Sequence, residues 1–140
     1  MEQNGSKTLW SWGDNSYGKL GRISDAGSSL GIPGKINSDV DFVKVFCGAQ
    51  FSIALSDNNK IYSWGKGEYF RLGHGNEQNY NLPKLVENLS KEKITDVAVG
   101  TLHVLVATKN GDIYSWGDND EGQTGQGKFE VLSLKRWLSN

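Results

Sequence analysis

The tripeptide Ser-Trp-Gly occurs three times in this chain at a fixed spacing of 52 residues. Its copies lie at residues 11–13, 63–65 and 115–117. An apolar residue precedes each copy, and a glycine follows each copy, at matching offsets. A spacing kept at several positions indicates one structural unit repeated along the chain, and such units bury their apolar faces against one another. The sequence therefore predicts a stack of similar repeats.

Each repeat reads as a series of short β-strands. Residues 43–47 alternate in character, residues 52–55 form an apolar run, and residues 61–64 follow a cluster of turn residues. Pro33 and Pro83 indicate outer strands, because a proline without an N–H group is tolerated at a strand start or sheet edge. Four short strands in about 50 residues are typical of one blade of a β-propeller.

The residues around the tryptophans resemble the repeat of the regulator of chromosome condensation family. Residues 11–21 read Ser-Trp-Gly-Asp-Asn-Ser-Tyr-Gly-Lys-Leu-Gly, and related segments occupy residues 62–75 and 114–123. A companion pattern, in which apolar residues lead to a glycine and then to His or Phe, occupies residues 45–51 and 97–103. The resemblance covers about residues 9–127. It implies an all-β fold made of β-propeller blades of the RCC-like type.

The family closes its ring with about seven repeats, whereas this sequence supplies fewer than three. We expect residues 1–140 to form one partial RCC-like propeller domain, with repeats near residues 9–42, 43–94 and 95–135. Open repeat arrays leave their terminal faces and strand edges exposed, and such edges pair with other chains. The sequence therefore predicts self-association through open blade edges. Residues 132–138 do not distinguish strand from helix.

Residues that recur at one repeat position are expected to be structural. The tryptophans should pack between blades, because a ligand cage has no reason to recur in every copy. His103 aligns with Phe51 and should pack between strands. Phe70 stands where the other copies have glycine, so it must adopt a positive φ or change the turn. The expected structural residues are Trp12, Trp64, Trp116, Gly48, Gly100 and His103.

The sequence offers no catalytic constellation. Cys47 with His74 or His103 could form a nucleophile and base, but Cys47 aligns with Val99 and is expected to be a small apolar residue on a buried strand. The acidic residues 118–121 lack the ligand alternation of a calcium loop. The glycine-rich segments lack the Gly-Lys-Ser/Thr sequence of a phosphate loop. We therefore expect no catalytic residue, no metal site and no cofactor.

Composition narrows the range of partners. Lys and Arg total 15 and Asp and Glu total 16, which gives a net charge of −1. A protein that binds the phosphate backbone needs a positive charge to attract it, so nucleic acid is not an expected partner.

No apolar stretch approaches the ~20 residues that span a bilayer. The first residues lack the apolar core of a secretory signal. One cysteine offers no disulfide framework. We expect no membrane association and a location in the cytoplasm or nucleus.

The loop after each Trp-Gly pair varies most between copies, at residues 14–17, 66–69 and 118–121. A constant framework with variable loops is how repeat proteins present binding surfaces. We expect these loops to bind a protein partner, because charge mixed with tyrosine is typical of protein interfaces. The candidate binding residues, all expected to be accessible on one side of the blades, are Tyr17, Glu68, Tyr69, Arg71 and Glu121.

Three functions remain open at this point. The first is a non-enzymatic protein-interaction module. Within the family, the loops resemble those in the RCC-like domains of giant HECT-type ubiquitin ligases, which implies a scaffold role in a ligase. The second is guanine-nucleotide exchange on a Ran-like small GTPase, which the family resemblance also implies. The third is a purely structural repeat segment.

Overall fold

The computed structural model describes residues 7–24, 29–127 and 132–137, and within these ranges the regular structure is β-strand and short 3₁₀ turns. The all-β prediction is confirmed. The strands are β1 (Trp10–Asp14), β2 (Ser29–Lys35), β3 (Phe42–Gly48), β4 (Phe51–Ser56), β5 (Ile61–Gly65), β6 (Tyr80–Leu85), β7 (Ile94–Val99), β8 (His103–Thr108), β9 (Ile113–Gly117) and β10 (Leu132–Trp137). The 3₁₀ turns are Ser16–Gly18, Glu68–Phe70 and Glu87–Leu89.

The strands form three open antiparallel sheets, here called blades. Blade 1 contains β1 and β2, blade 2 has the order β3-β4-β5-β6, and blade 3 has the order β7-β8-β9-β10. Blades 2 and 3 thus have the four strands expected of a propeller blade, whereas blade 1 has two among the described residues. The inner turns of blades 2 and 3 are joined, because the Ala49 N–H donates to the Thr101 carbonyl oxygen at 2.9 Å.

The main hydrophobic core lies between blades 2 and 3. A sheet with one apolar face must bury that face, and each blade here covers its neighbour. The side chain of Asn59 adds a polar clamp, since it accepts from the Ile94 N–H at 2.7 Å and donates to the Ile94 carbonyl at 2.9 Å. The buried core residues are Phe51, Ile53, Ile61, Leu72, Val86, Leu89, Ile94, Val97, Val104, Val106, Tyr114 and Trp116.

A tryptophan side chain connects each blade to the one before it. The Trp64 indole N–H donates to the Lys19 carbonyl oxygen at 2.8 Å, and the Trp116 indole N–H donates to the Arg71 carbonyl oxygen at 2.9 Å. Both tryptophans have no exposed surface. Lys19 and Arg71 are one repeat apart, so the same contact is made twice. We call it the tryptophan–carbonyl contact.

A glycine in the preceding blade makes room for each indole. A Cβ atom at Gly21 would lie 2.8 Å from Nε1 of Trp64, and one at Gly73 would lie 3.0 Å from Nε1 of Trp116. Both distances are too short for a side chain. The repeated glycine therefore sets how closely two blades approach.

The serine of the tripeptide acts within its own blade. Its hydroxyl donates to the carbonyl oxygen of the residue just before the repeated glycine, which closes the loop that follows the Trp strand. This bond is made by Ser11 to Leu20 at 2.7 Å, by Ser63 to Leu72 at 2.6 Å and by Ser115 to Thr124 at 2.9 Å. Serine and tryptophan thus hold one loop from two directions.

The rings of Phe51 and His103 occupy equivalent positions. Each ring lies directly over the glycine three residues earlier, Gly48 or Gly100, where a Cβ atom would collide with it. His103 is partly buried in this position. Gly48, Phe51, Gly100 and His103 are therefore part of the turns between the first two strands of their blades.

Trp12 and Cys47 do not have the surroundings that the repeat predicts. Trp12 is 60% exposed, although its equivalents are fully buried. Cys47 is exposed rather than buried. Cys47 is exposed because blade 1 has two strands among the described residues, which leaves an apolar groove of about 240 Å³ lined in part by Trp10, Trp12, Val45 and Cys47. Trp64 and Trp116 are covered by the preceding blade, and the described residues contain no blade before blade 1. Within the described part of the chain Trp12 therefore does not pack between blades, contrary to the expectation.

His74 is held as a neutral ring inside blade 2. Its Nε2 lies 2.8 Å from the Ser63 hydroxyl oxygen, whose own proton is used toward Leu72, so Nε2 must carry the hydrogen. The buried Nδ1 has no hydrogen-bond partner. Burial is the main cause that lowers the pKa of His74 to about 4; the positive charge of Lys84 acts in the same direction, and the bond to Ser63 opposes the shift.

We predict that Trp64→Ala destabilises the chain by about 3–5 kcal/mol, the range for removing a large buried aromatic side chain. Trp12→Ala, at the equivalent but exposed position, should change the free energy of unfolding by less than about 1 kcal/mol. Urea denaturation at low protein concentration measures both. Equal losses for the two variants would contradict the packing described here.

We predict that the stability falls as the pH drops from about 6.5 toward 4. The folded pKa of His74 lies below its unfolded value, so the unfolded chain binds the proton more tightly in this window. His74→Gln should remove this part of the pH dependence. Glutamine is a matched replacement, because Gln126 makes the equivalent bond to the Ser115 hydroxyl at 3.2 Å. Urea denaturation of the wild type and the His74→Gln variant from pH 4 to 7.5 measures this difference. Superimposable pH profiles of the two proteins would show that His74 does not contribute to the pH dependence of stability.

Candidate recognition surface

The three loops that follow the Trp strands lie at one end of the blades. They span residues 14–21, 66–73 and 118–125. In blade 2, β5 starts at the hairpin turn of residues 57–60 and ends at Gly65, so the loop and the turn lie at opposite ends of the strand. The same order holds in blade 3.

The base of the first loop packs on blade 2. The Lys19 carbonyl accepts from the Ser52 hydroxyl at 2.9 Å as well as from the Trp64 indole. Gly18 lies against Asn81 of β6, with no space for a Cβ atom. The loop base is thus part of the interface between blades, and only the loop tip is free to contact a partner.

A buried asparagine shapes the first and third loops. Oδ1 of Asn15 accepts from the Leu20 N–H at 3.1 Å, and Oδ1 of Asn119 accepts from the Thr124 N–H at 3.0 Å. Both asparagines are fully buried. Neither asparagine is among the residues predicted from the sequence, although the recurrence of Asn in two of the three copies was a usable signal. The second loop has Gly67 there, whose N–H donates to Oδ1 of Asn79 at 2.9 Å.

Arg71 is not accessible, which corrects the expectation from the sequence. Its side chain is 2% exposed. Nε donates to the Glu68 carbonyl at 2.7 Å, and Nη1 donates to the Ala49 carbonyl at 3.0 Å. Burial lowers the pKa of the guanidinium, while the Glu68 carboxylate favours the charged form. Arg71 therefore positions the second loop from below.

The residues equivalent to Arg71 also fasten their own loops. The Lys19 ammonium pairs with the Asp14 carboxylate, and the Gln123 side-chain amide donates to the Asp118 carboxylate at 3.0 Å. The three side chains differ, but each one bonds within its own loop. Variation at this position is therefore compatible with a structural role.

The tips of the first two loops meet in one cluster at the surface, in which Tyr17 and Glu68 are exposed and Lys66 and Tyr69 are partly buried. The Lys66 ammonium lies 4.8 Å from the centroid of the Tyr17 ring and 2.6 Å from the Glu68 carboxylate. Tyr69 lies over Arg71, with 5.5 Å between its ring centroid and the guanidinium carbon. Tyr17 is 37% exposed and Glu68 is exposed. We call Tyr17, Lys66, Glu68 and Tyr69 the two-tyrosine patch.

The structure thus brings together three of the five predicted residues, Tyr17, Glu68 and Tyr69, and places a fourth, Arg71, beneath them as support. Glu121 is exposed on the third loop, where its N–H donates to the side-chain oxygen of Gln123 at 2.9 Å. Lys66 was not predicted. It stands where the other copies have aspartate, and this reversal of charge was the available signal.

The backbone of the patch is held in an unusual conformation. Tyr17 and Tyr69 both have φ of 61°, and Phe70 has φ of 54°. Phe70 thus takes the positive φ that glycine has in the other copies. Left-handed φ costs a residue other than glycine roughly 1–2 kcal/mol, so the surrounding bonds must hold it. One such bond runs from the Tyr69 N–H to the Glu77 carboxylate at 2.9 Å.

The charges of the patch are paired. The hydrogen bond from Lys66 lowers the pKa of the Glu68 carboxyl and raises the pKa of the Lys66 ammonium. Both groups therefore carry their charges at neutral pH. The patch offers a partner two phenol rings, one cation and one anion in a fixed arrangement.

The described residues show neither a metal-binding cluster nor a membrane-spanning helix. No group of three or more His, Cys, Asp or Glu side chains in the described part of the chain is placed to hold a metal ion. No helix among the described residues has the length and apolar character needed to cross a membrane.

The repeat geometry agrees with comparisons to known sequences. The model of the regulator of chromosome condensation (RCC1) repeat matches residues 8–55 and 58–107. A second RCC1 repeat model matches residues 42–71 and 94–123. The chain therefore belongs to the RCC1 repeat family, and its open sheets are blades of a partial β-propeller.

Among individual proteins, the chain is similar to the E3 ubiquitin-protein ligase HERC2 of Homo sapiens and of Mus musculus. Each is 46% identical over 134 residues, which cover 94% of this chain and 3% of the ligase. The Protein RCC2 homolog of Danio rerio is 36% identical over 116 residues, covering 83% of this chain and 20% of that protein. The chain thus spans a small part of each relative.

Solved structures share the fold. The crystal structure of Prp20p from Saccharomyces cerevisiae matches with a TM-score of 0.79 and 27% identity, covering 92% of this chain and 34% of Prp20p. Human WBSCR16 matches with a TM-score of 0.78, covering 95% of this chain and 35% of that one, and its 23% identity speaks for the fold alone. The chain corresponds to about a third of each.

Proposed function

We propose that this chain is a non-enzymatic protein-interaction module and that its partner binds the two-tyrosine patch. The observation that carries the proposal is the contact between loops of two different blades, Tyr17 with Lys66, together with the ion pair of Lys66 and Glu68 inside the second loop. Side chains held in place before binding lose less conformational entropy when a partner arrives. The patch is therefore suited to recognition.

The composition of the patch favours a protein partner. Tyrosine and arginine are enriched where interfaces bind most strongly, and tyrosine presents a large area at small entropic cost. The paired Lys66 and Glu68 side chains suit a partner with both charges. A net charge of −1 gives no general attraction to nucleic acid.

Relatives support binding to proteins. Prp20p was studied for its binding to Gsp1p and histones, and yeast RCC1 (Prp20) was crystallised bound to Kap60. The similarity to HERC2 supports a role as a substrate-recruiting part of a ubiquitin-ligase scaffold. We place this activity in the cytoplasm or nucleus, where the free, exposed Cys47 would stay reduced.

We predict that Tyr17→Ala and Tyr69→Ala each weaken partner capture at least about tenfold, which corresponds to ~1.4 kcal/mol. Quantitative affinity capture with the wild-type chain would identify the partner, and calorimetry with the purified partner would give the dissociation constants. Lys109→Ala is the matched control, since Lys109 is exposed in the hairpin turn at the opposite end of blade 3. Wild-type affinity in both tyrosine variants would show that the partner does not bind at the two-tyrosine patch.

Arg71→Ala tests a different property. Its loss breaks two bonds to carbonyl oxygens, so we expect a lower free energy of unfolding and weaker capture together. The tyrosine variants should lower affinity while leaving stability nearly unchanged. The comparison therefore distinguishes a residue that supports the patch, Arg71, from residues that contact the partner directly, Tyr17 and Tyr69.

Nucleotide exchange is the second candidate, favoured by the likeness to Prp20p and its reported binding to Gsp1p. The test is release of a fluorescent nucleotide from a Gsp1p-type GTPase. We expect no acceleration by the chain. Acceleration that the patch variants abolish would replace the interaction-module proposal with exchange.

A further inference from the structure

The second loop, residues 66–73, is fastened differently from the first and third loops. In those two loops a buried asparagine, Asn15 or Asn119, accepts a hydrogen bond from the backbone N–H five residues later. The equivalent residue in the second loop is Gly67, which has no side chain to do this. The second loop therefore takes this part of its support from outside the loop.

The outside support is the segment of residues 76–79 in the same blade, which we call the clamp. Oδ1 of Asn79 accepts from the Gly67 N–H at 2.9 Å, and a Glu77 carboxylate oxygen accepts from the Tyr69 N–H at 2.9 Å. A Cβ atom at Gly67 would lie 1.9 Å from the Gln78 carbonyl oxygen, so a glycine is required for this close approach. The clamp thus holds the backbone on both sides of Glu68, a residue of the two-tyrosine patch.

The clamp is itself fixed to the sheet of blade 2. Oδ1 of Asn76 accepts from the Gln78 N–H at 2.9 Å, and Nδ2 of Asn76 donates to the Tyr80 hydroxyl at 3.2 Å. The Tyr80 hydroxyl donates in turn to Oε1 of Gln78 at 3.2 Å. Tyr80 is the first residue of β6, and its ring meets the His74 ring edge to face with 5.0 Å between centroids. The clamp is therefore anchored on the framework of the blade.

The clamp contacts the loop where the loop backbone is under strain. Tyr69 and the next residue, Phe70, both have left-handed φ, at 61° and 54°. Residues other than glycine keep such a conformation only where several surrounding contacts impose it. The bond from the Tyr69 N–H to Glu77 acts at the first of these two residues. Without that bond we expect Tyr69 to relax to a commoner φ, which moves its ring away from Arg71.

We propose that Glu77 and Asn79 are positioning residues of the two-tyrosine patch, which determine its affinity by holding Tyr69 and Gly67 and do not themselves contact the partner. The inference rests on the proposed function, because it assumes that a partner binds the patch. What each residue supplies to the loop is an acceptor oxygen. A variant that keeps this oxygen should keep the patch intact, and a variant that lacks it should loosen the loop.

Backbone order parameters from NMR relaxation of the full chain test the clamp without a partner. In the wild type the amides of Gly67 and Tyr69 should have values of about 0.85, typical of rigid backbone. Glu77→Ala should lower the value at Tyr69, and Asn79→Ala the value at Gly67, toward the flexible range below about 0.6. Glu77→Gln and Asn79→Asp keep an acceptor oxygen and should stay near the wild type. An unchanged value in either alanine variant would overturn the role of that residue.

Affinity for the partner captured by the wild-type chain distinguishes positioning from direct contact. Glu77→Ala should weaken binding roughly fivefold, the effect of about one net hydrogen bond, whereas Glu77→Gln should bind nearly as tightly as the wild type. If the Glu77 carboxylate instead bound a cation of the partner, both variants would lose affinity equally, and that result would overturn the proposal. Glu87→Ala is the matched control, since Glu87 is exposed and lies on the 3₁₀ turn at the opposite end of blade 2.

Two comparisons keep the possible failures apart. Urea denaturation should give nearly the same free energy of unfolding for Glu77→Ala and the wild type, because the lost bond lies at the surface. A loss of affinity in that variant is then a property of the loop and not of the fold. Wild-type affinity in Tyr17→Ala and Tyr69→Ala would overturn the proposed function and the effect of the clamp on affinity, while the order parameters would still decide whether the clamp holds the loop.

Discussion

The structure depends on one hydrogen bond, from a tryptophan indole N–H to a carbonyl oxygen in the preceding blade. Trp64 and Trp116 make it at 2.8 and 2.9 Å. Both indoles are fully buried and lie in close contact with a glycine, so the bond fixes both the distance and the register between blades. A buried indole N–H without an acceptor would be costly, and the loop that supplies the acceptor is therefore held in one conformation.

That requirement explains why the loops are only partly free to vary. The carbonyl at position 71 must face Trp116, and the Arg71 side chain holds the same loop through the Glu68 and Ala49 carbonyls. The second loop tolerates Phe70 at φ of 54° because the bonds around it outweigh the local strain. The two-tyrosine patch, the proposed recognition site, thus rests on the same framework that joins the blades. In this chain, the contacts that pack the blades together also position the loop tips.

Particular residues show where reasoning from the sequence reached its limit. Equal repeat position predicted equal burial for Trp12, Trp64 and Trp116. Burial, however, depends on the preceding blade, and no blade precedes Trp12 among the described residues. Because the residue at this repeat position varies between copies, Arg71 was predicted to contact a partner. A side chain can nevertheless vary between copies and still hydrogen-bond to the backbone of its own protein, as Arg71 does. The strand at β10 could not be told from a helix by its own pattern, and pairing with β9 decides it.

The sequence by itself determined the all-β fold, the family and the period of 52 residues, because these follow from local spacing that every copy repeats. It also located the loops whose tips form the patch. Only the tertiary structure decided which repeat positions are covered, that Lys66 joins Tyr17 to Glu68, and that Arg71 lies beneath Tyr69. The physical reason is that burial and side-chain pairing across blades depend on residues about one repeat away, which local sequence patterns do not encode.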